Sequence, residues 1–478
     1  MSNLSKSFFW SFMEQGGQRA ISLLVQILLA RILAPDIFGI MAIILVFVEL
    51  ATSIAQSGLA QALIQRQNVT SITINTAFWI SMAIAVLLYA FMFCIAPVME
   101  TIYNYESLAV FLRILSLVIF LNGFNSIQRA ILQKEMKFKA LFKSNIIATL
   151  ISGTLGVAGA LLGFGVWALI GQTLAQSFFA GLVMLVQVSW RPKAQFDKKA
   201  ALELYRYGYK ICLTSILGVL YTGVSELIIG RVSSSTDLGY YSNGRKYPQA
   251  GISVVNRSLE NVFFPLFAKL QNDKARFQET VCKSVSLCSY VSTPFCLCLL
   301  IIAEPLISLL LTDKWLPSVL VFQFACLSAS FTIVQTINLR AYMALGESGL
   351  YLKLQSIKVG IGTVIIALVA LTSKNIYYVA GVTSLMSIFF IFFVDLRPAK
   401  RVHGIGAFKQ LKLMGPALLL SVVSAVPAYC VSYFTMHPGV LMLVQIVLFW
   451  GIYLGASKLL KLDALEESIA LIKRMVSR

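Results

Sequence analysis

Charge is scarce in this chain. Asp, Glu, Lys and Arg make up 12% of its 478 residues, about half the share found in ordinary soluble domains. Acids are scarcer than bases, 20 against 39. Histidine occurs only at His403 and His437, too rarely and too far apart for a metal or acid–base constellation. The eight cysteines (Cys94, Cys212, Cys282, Cys288, Cys296, Cys298, Cys326, Cys430) include no C-x-x-C pair and no metal-ligand spacing, so they read as reduced packing residues. There is no DxD pair, no Gly-rich phosphate loop behind a strand and no Ser–His–acid set, which excludes the usual transferase, ATPase and hydrolase chemistries. The chain reads as a non-enzyme without metal or cofactor, and without a Walker motif it cannot power transport by its own ATP hydrolysis. The first apolar run contains polar residues and has no small-residue cleavage site behind it, so it is not a signal peptide.

Apolar residues are abundant instead, at 58% of the chain, and they fall into runs of about the 20 residues that cross a bilayer. Fourteen such runs lie at 7–32, 36–58, 72–97, 107–133, 141–163, 165–189, 206–230, 238–267, 278–302, 317–345, 351–372, 375–396, 411–435 and 438–460. Pro35, Pro97, Pro192, Pro305, Pro317, Pro398 and Pro438 mark many of the boundaries. The expected fold is therefore an all-α integral membrane bundle of about fourteen helices.

The net charge of +19 would suggest nucleic acid in a soluble protein, but its placement points to a membrane. Basic residues cluster after the even-numbered runs, around Lys137, Lys198, Lys274 and Lys400, whereas the loop after the third run carries Glu100 and Glu106. Short cytoplasmic loops collect Lys and Arg, so both termini are expected in the cytoplasm. Residues 461–478 place Leu462, Leu465, Ile469, Ile472 and Val476 on one face, as in a helix lying on the cytoplasmic leaflet.

An internal repeat organises the runs. Arg31 and Gly39 recur as Arg231 and Gly239, and at the same offset of 200 Ser22 faces Thr222, Gln26 faces Glu226, Glu49 faces Gln249 and Gln56 faces Asn256. Runs 1–2 thus correspond to runs 7–8. Six helices per half give both halves the same orientation, the parallel repeat about the membrane normal used by many transporters. The expected organisation is an N-terminal lobe (1–190), an inter-lobe loop (191–205), a C-terminal lobe (206–396), two accessory helices (411–460) and the tail.

Polar residues line up on particular helix faces at membrane depth. The first run carries Ser11, Gln15, Gln18, Ser22 and Gln26 at spacings of three or four, flanked by Glu14 and Arg19; the eighth carries Lys246, Gln249, Ser253, Asn256 and Glu260. Helical spacing puts each set on one face, and ionisable groups at that depth face a bundle interior or a wet cavity. Arg19, Arg245, Lys246, Arg340 and Lys358, with Gln15, Gln18, Gln56, Gln249 and Asn256, are the candidate substrate-binding residues lining a cavity between the halves. A snorkelled or ion-paired structural role is the alternative. Glu14, Glu49, Glu226 and Glu260 are candidate ion-coupling residues. Arg31 and Arg231, beside Asp36 and Asp237, read as loop-fixing pairs.

Several strings resemble a known family. Leu29-Ala30-Arg31-Ile32-Leu33-Ala34-Pro35-Asp36-Ile37-Phe38-Gly39, Ser57-Gly58-Leu59-Ala60-Gln61-Ala62-Leu63-Ile64-Gln65-Arg66, Val262-Phe263-Phe264-Pro265-Leu266-Phe267 and Asp313-Lys314-Trp315-Leu316-Pro317 are similar to bacterial polysaccharide flippases. These form the Wzx/TuaB-type branch of the multidrug/oligosaccharidyl-lipid/polysaccharide exporter superfamily. The resemblance implies a two-lobed bundle in the bacterial inner membrane that moves an undecaprenyl-pyrophosphate-linked glycan outward by alternating access for lipopolysaccharide, capsule or exopolysaccharide synthesis. It implies coupling to an H+ or Na+ gradient, membrane lipids as surroundings, a polysaccharide polymerase and chain-length regulator as partners, and no nucleic acid. A cationic cavity suits a pyrophosphate. Two alternatives stay open: a drug or organic-cation antiporter of the same superfamily, which the four Glu residues would suit, and a membrane polymerase or ligase, which would want a longer outer loop than this chain has.

Overall fold

The computed structural model describes residues 2–467 apart from Ser57, Gln67, Asn68, Thr435 and Asp463. The side chains of 2–9, 11–15, 207, 210, 253–262, 264, 265 and 348 also lie outside the description. All regular structure among the described residues is helical. It divides into two compact units, 1–239 and 240–478.

The first unit holds α1 (Ser2–Ile32), α2 (Pro35–Gln56), α3 (Leu59–Gln65), α4 (Ser71–Tyr103), α5 (Leu108–Leu115), α6 (Val118–Lys134), α7 (Phe138–Leu161), α8 (Val166–Gln187), α9 (Lys198–Val232) and the first turn of α10 (Ser235–Leu270). Their ends follow from capping chemistry. Pro35 opens α2, where its missing N–H costs nothing. The Thr70 hydroxyl accepts from the Thr73 N–H at the start of α4, and Asp197 accepts from Lys199 at the start of α9. The fourth apolar run is two helices rather than one, and the Glu100 carboxylate caps the first of them by accepting from the Ala109 N–H at 2.8 Å. Small residues let helices approach: a Cβ on Gly153 of α7 would stand 2.6 Å from Val25 of α1, and one on Gly223 of α9 would stand 2.7 Å from Val46 of α2.

The expected inter-lobe loop is strapped to the start of α4. Asn75 is at its centre, its Oδ1 accepting from the Trp190 indole at 2.9 Å and from the Lys193 N–H at 3.3 Å, while its Nδ2 donates to Gln195 Oε1 at 3.0 Å. Trp79 donates to the Lys193 carbonyl and Thr76 Oγ1 accepts from the Asp197 N–H. The helix that follows, α9, packs on α2, α3 and α4, within the first compact unit.

The second unit continues α10 and adds α11 (Lys274–Ile301), α12 (Ala303–Leu311), α13 (Val319–Ala344), α14 (Ser348–Ser373), α15 (Ile376–Phe390), α16 (Ala399–Val402), α17 (Ala407–Cys430) and α18 (Pro438–Leu459). Its core joins Phe267, Phe277, Val285, Val334, Ile337 and Met414. The accessory helices α17 and α18 pack on each other and on α11. His437 has a local task, its Nδ1 accepting from the Gly439 N–H to cap α18. The tail is described only as far as Glu467, with 464–467 helical.

Twelve helices among the described residues are long and apolar enough to cross a membrane. They coincide with twelve of the fourteen runs; the other two, 7–32 and 238–267, are α1 and α10, which extend over side chains outside the description. Leu87, Leu162 and Val186 are at least 70% exposed, a surface that suits acyl chains and not water.

Candidate functional site

In the first unit the described part of the α1 stripe is half-buried, Gln18 and Arg19 included, and so is Gln56 on α2. Glu226 on α9 is half-buried, whereas Glu49 is exposed. Gln15 and Glu14 on α1, and Asn256 and Glu260 on α10, have side chains outside the described residues. At the far ends of these helices Tyr105 ties the turn before α10 in place, its hydroxyl reaching the carbonyls of Gly230 and Ser233 at 3.4 Å each. Burial, and then the nearby Asp237 carboxylate, push that hydroxyl above its ordinary range. Asp237 and Ser234 form a reciprocal cap, Ser234 Oγ accepting from the Asp237 N–H and donating to its carboxylate. Arg31 and Arg231 are exposed. Arg113 lies flat over Phe93, 4.2 Å from the ring centroid, and donates to the Phe93 carbonyl, a structural use of that cation.

In the second unit α10 presents Arg245 and Lys246, both half-buried, and Gln249, exposed. Arg245 lies over the Tyr241 ring at 5.2 Å, and its Nη1 donates to the Tyr241 hydroxyl at 3.2 Å. Tyr241 is fully buried, so the guanidinium has an oriented base one turn below it. Arg340 on α13 is half-buried, with Nη1 3.8 Å from Met343 Sδ. These cations sit on helix faces that are partly covered by protein, where a charge at membrane depth is tolerable.

Lys358 differs from the others. It is 1% exposed, and its ammonium stands 3.1 Å from Asp395 Oδ2 in a fully buried ion pair. Gln335 of α13 donates to the same carboxylate oxygen, and the Tyr342 hydroxyl donates to the Asp395 backbone carbonyl at 2.7 Å. Asp395 ends a π-helical turn, Ile391–Asp395, that continues α15. In this conformation the Lys358 charge is committed to a carboxylate, the ion-paired alternative weighed from the sequence.

Next to this pair lies a second polar group that sequence reasoning missed. Asn338 Nδ2 donates to Gln410 Oε1 at 2.6 Å, Gln410 Nε2 returns the bond at 2.9 Å, and His403 Nε2 lies 3.0 Å from Asn338 Oδ1. Asn338 Oδ1 can only accept, so His403 carries its proton on Nε2. The ring stacks on Tyr342 at 5.8 Å, and the His403 carbonyl accepts from Gln278. Burial pulls the His403 pKa down to about 4, so the imidazole is neutral. One signal was available: Asp395 is the lone acid in the run 375–396, and a buried acid calls for a base at its own depth.

Among the described residues no three His, Cys, Asp or Glu side chains gather as a metal site. Comparison with known proteins places the chain more closely. The family model described as polysaccharide biosynthesis protein matches residues 28–320. The succinoglycan biosynthesis transport protein ExoT of Rhizobium meliloti is 27% identical over 316 residues, 65% of this chain and 63% of the relative. The lipopolysaccharide biosynthesis protein WzxC of Escherichia coli is 24% identical over 64% of this chain and 63% of the relative. The teichuronic acid biosynthesis protein TuaB of Bacillus subtilis is 24% identical over 63% and 62%. These alignments thus span less than two thirds of the relatives' own length. Among solved structures, the lipid II flippase MurJ in an inward closed conformation superposes with a TM-score of 0.75 at 15% identity, covering 96% of this chain and 99% of that one. An inward-facing multidrug resistance transporter of the MATE family gives 0.64 at 11% identity, covering 80% and 94%. At such identities the likeness concerns the fold, an all-α multi-span bundle.

Proposed function

Because the chain belongs to the polysaccharide biosynthesis protein family, whose model covers residues 28–320, we propose that it is a flippase. It carries an undecaprenyl-pyrophosphate-linked oligosaccharide repeat unit from the cytoplasmic to the outer leaflet of the bacterial inner membrane. The relatives named for succinoglycan transport and for lipopolysaccharide and teichuronic acid biosynthesis support this reading over a drug antiporter.

The observation that carries it is the set of half-buried cations on the long helices α1, α10 and α13: Arg19, Arg245, Lys246 and Arg340. A pyrophosphate cannot cross hydrocarbon bare, and guanidinium and ammonium groups at membrane depth replace the water it leaves. Arg245 is the best prepared of the four, since Tyr241 orients its guanidinium plane, and a planar guanidinium matches two phosphate oxygens. Gln18, Gln56 and Gln249 bond sugar hydroxyls, and the prenyl tail stays in the bilayer. Six-helix halves related by a parallel repeat rock to expose these groups to one side and then the other, driven by an ion gradient. The polymerase and chain-length regulator receive the product outside.

The test is complementation of a flippase-null strain with Ala variants of Arg19, Arg245, Lys246 and Arg340, with protein level measured in parallel. Each charged hydrogen bond to phosphate contributes about 1.5–3 kcal/mol, so each variant should lower export by roughly ten- to a hundredfold while the lipid-linked unit accumulates on the cytoplasmic face. Wild-type export by all four, at equal protein level, would refute the cationic path.

A further inference from the structure

The Lys358–Asp395 pair does something that the proposed path does not require. Both side chains are buried, 1% and 0% exposed, Lys358 nine residues from the start of the span 349–373 and Asp395 seven from the end of the span 376–402. Asp395 Oδ2 is fully engaged, by Lys358 Nζ at 3.1 Å and by Gln335 Nε2. Its Oδ1 is buried and has no hydrogen-bond partner among the described residues. An ionised carboxylate with one bare oxygen is a costly thing to bury, and a buried ion pair is weak evidence for stability, since apolar residues of similar volume often do as well. The acid also closes a π-helical turn, an irregularity that is frequent at functional sites.

We propose that Asp395 is a proton-binding site and that the proton and the Lys358 ammonium compete for its carboxylate, making H+ the coupling ion; this rests on the transport reading above. One proton passes from a hydronium ion to Oδ1: an O–H bond of the hydronium breaks, the carboxyl O–H bond forms, and a water molecule is left. The carboxyl becomes neutral, while Lys358 keeps its three N–H bonds and its charge. An ammonium without its counter-ion at that depth is drawn to water, so protonation favours a second conformation in which Lys358 is hydrated. Release of the proton on the other side restores the pair. The groups facing Asp395 are consistent with this exchange. From α13 they are Gln335 and Tyr342, and the charged residue of that helix is Arg340. From α14 there is Lys358, with Lys353 exposed. The ionisable groups of α15 are Tyr377 and Tyr378, at its opposite end. Beyond the turn stand the exposed Arg397, Lys400 and Arg401, and His403 lies across the Tyr342 ring. Asp395 is the lone acid in this company.

The test uses the full chain in lipid nanodiscs, with the proton itself as probe. On acidification, infrared difference spectra should show the C=O stretch of a protonated carboxyl in an apolar site, and the wild type should take up about one proton more per chain than Asp395→Asn. Asp395→Asn should abolish the band. The charge-neutral double variant Lys358→Met/Asp395→Leu should fold with a native thermal midpoint, lack the band and lose export by about tenfold or more, the scale of a coupling between two sites. A purely structural pair predicts the opposite: no such band in the wild type, and wild-type export by the double variant. Either result overturns the proposal, as does a band that survives in Asp395→Asn. If the single variant fails to fold, wild-type protein carrying isotope-labelled aspartate decides, because the label moves the band of an Asp and of nothing else. The spectrum needs no glycan, so a failed complementation by the wild type would count against the flippase reading and leave the proton site standing.

Discussion

Gly39 and Gly239 meet back to back where α2 and α10 begin. A Cβ on Gly39 would lie 1.9 Å from the Ser235 carbonyl oxygen, and a Cβ on Gly239 would lie 1.9 Å from the Pro35 carbonyl oxygen. Pro35 and Ser235 stand at the same offset of 200 as the two glycines, so the contact is reciprocal, as local two-fold relations are. Helix propensity favours Ala over Gly by up to about 1 kcal/mol, whereas overpacking at such a contact costs about 1–3 kcal/mol or more. Gly39→Ala and Gly239→Ala should each lower the thermal midpoint of the purified protein, and the double variant should cost less than the sum, because the first substitution has already parted the helices. A raised midpoint would mean that the crossing is not there.

His403 sets an acid limit on stability. Its pKa is about 4 in the fold, against about 6.5 in an unfolded chain, so between those values the unfolded state binds the additional proton. The contribution of the neutral imidazole is therefore complete above about pH 6.5, is lost progressively as pH falls toward 4 and changes no further below, in all about 3 kcal/mol. Denaturation midpoints of the wild type should fall across that window. Those of His403→Gln should start lower and fall less, and parallel curves for the two proteins would remove His403 as the cause.

Asn75 holds the strap between α8 and α9. It is 1% exposed and bonds three groups of the segment 190–195. Asn75→Ala leaves the Trp190 indole without its acceptor and should cost about 1–3 kcal/mol. Limited trypsin digestion reads the effect directly, since cleavage after the exposed Lys193 should quicken in the variant while sites in other loops keep their rates.

Orientation is open to a direct check. Reporter enzymes active only outside the cytoplasm should stay silent when fused after Lys137, Lys198, Lys274 or Lys400, because the loops around them hold most of the basic charge. A fusion after Glu106 should be active. Strong activity after Lys198 would reverse the assignment.

Much of this protein was legible in the residues taken one helix at a time. The spacing of apolar residues marks the membrane segments, because a helix that meets lipid must hide its backbone and show hydrocarbon over about 20 residues. Twelve of the runs read in that way are helices that meet the requirement. Charge scarcity, the offset of 200 and the family strings point to the same class of protein.

What the tertiary structure alone decided is which polar groups meet. Lys358 looked like the other membrane cations, but its pairing with Asp395 depends on the depth at which α14 and the end of α15 lie beside each other, and no single-helix periodicity encodes that register. Asn338, Gln410 and His403 come from three segments of the chain, and Asn75 gathers its partners from more than 100 residues away. Periodicity tells which face of a helix is apolar; hydrogen bonds and ion pairs depend on distances of about 3 Å between faces, and only the packed chain fixes those.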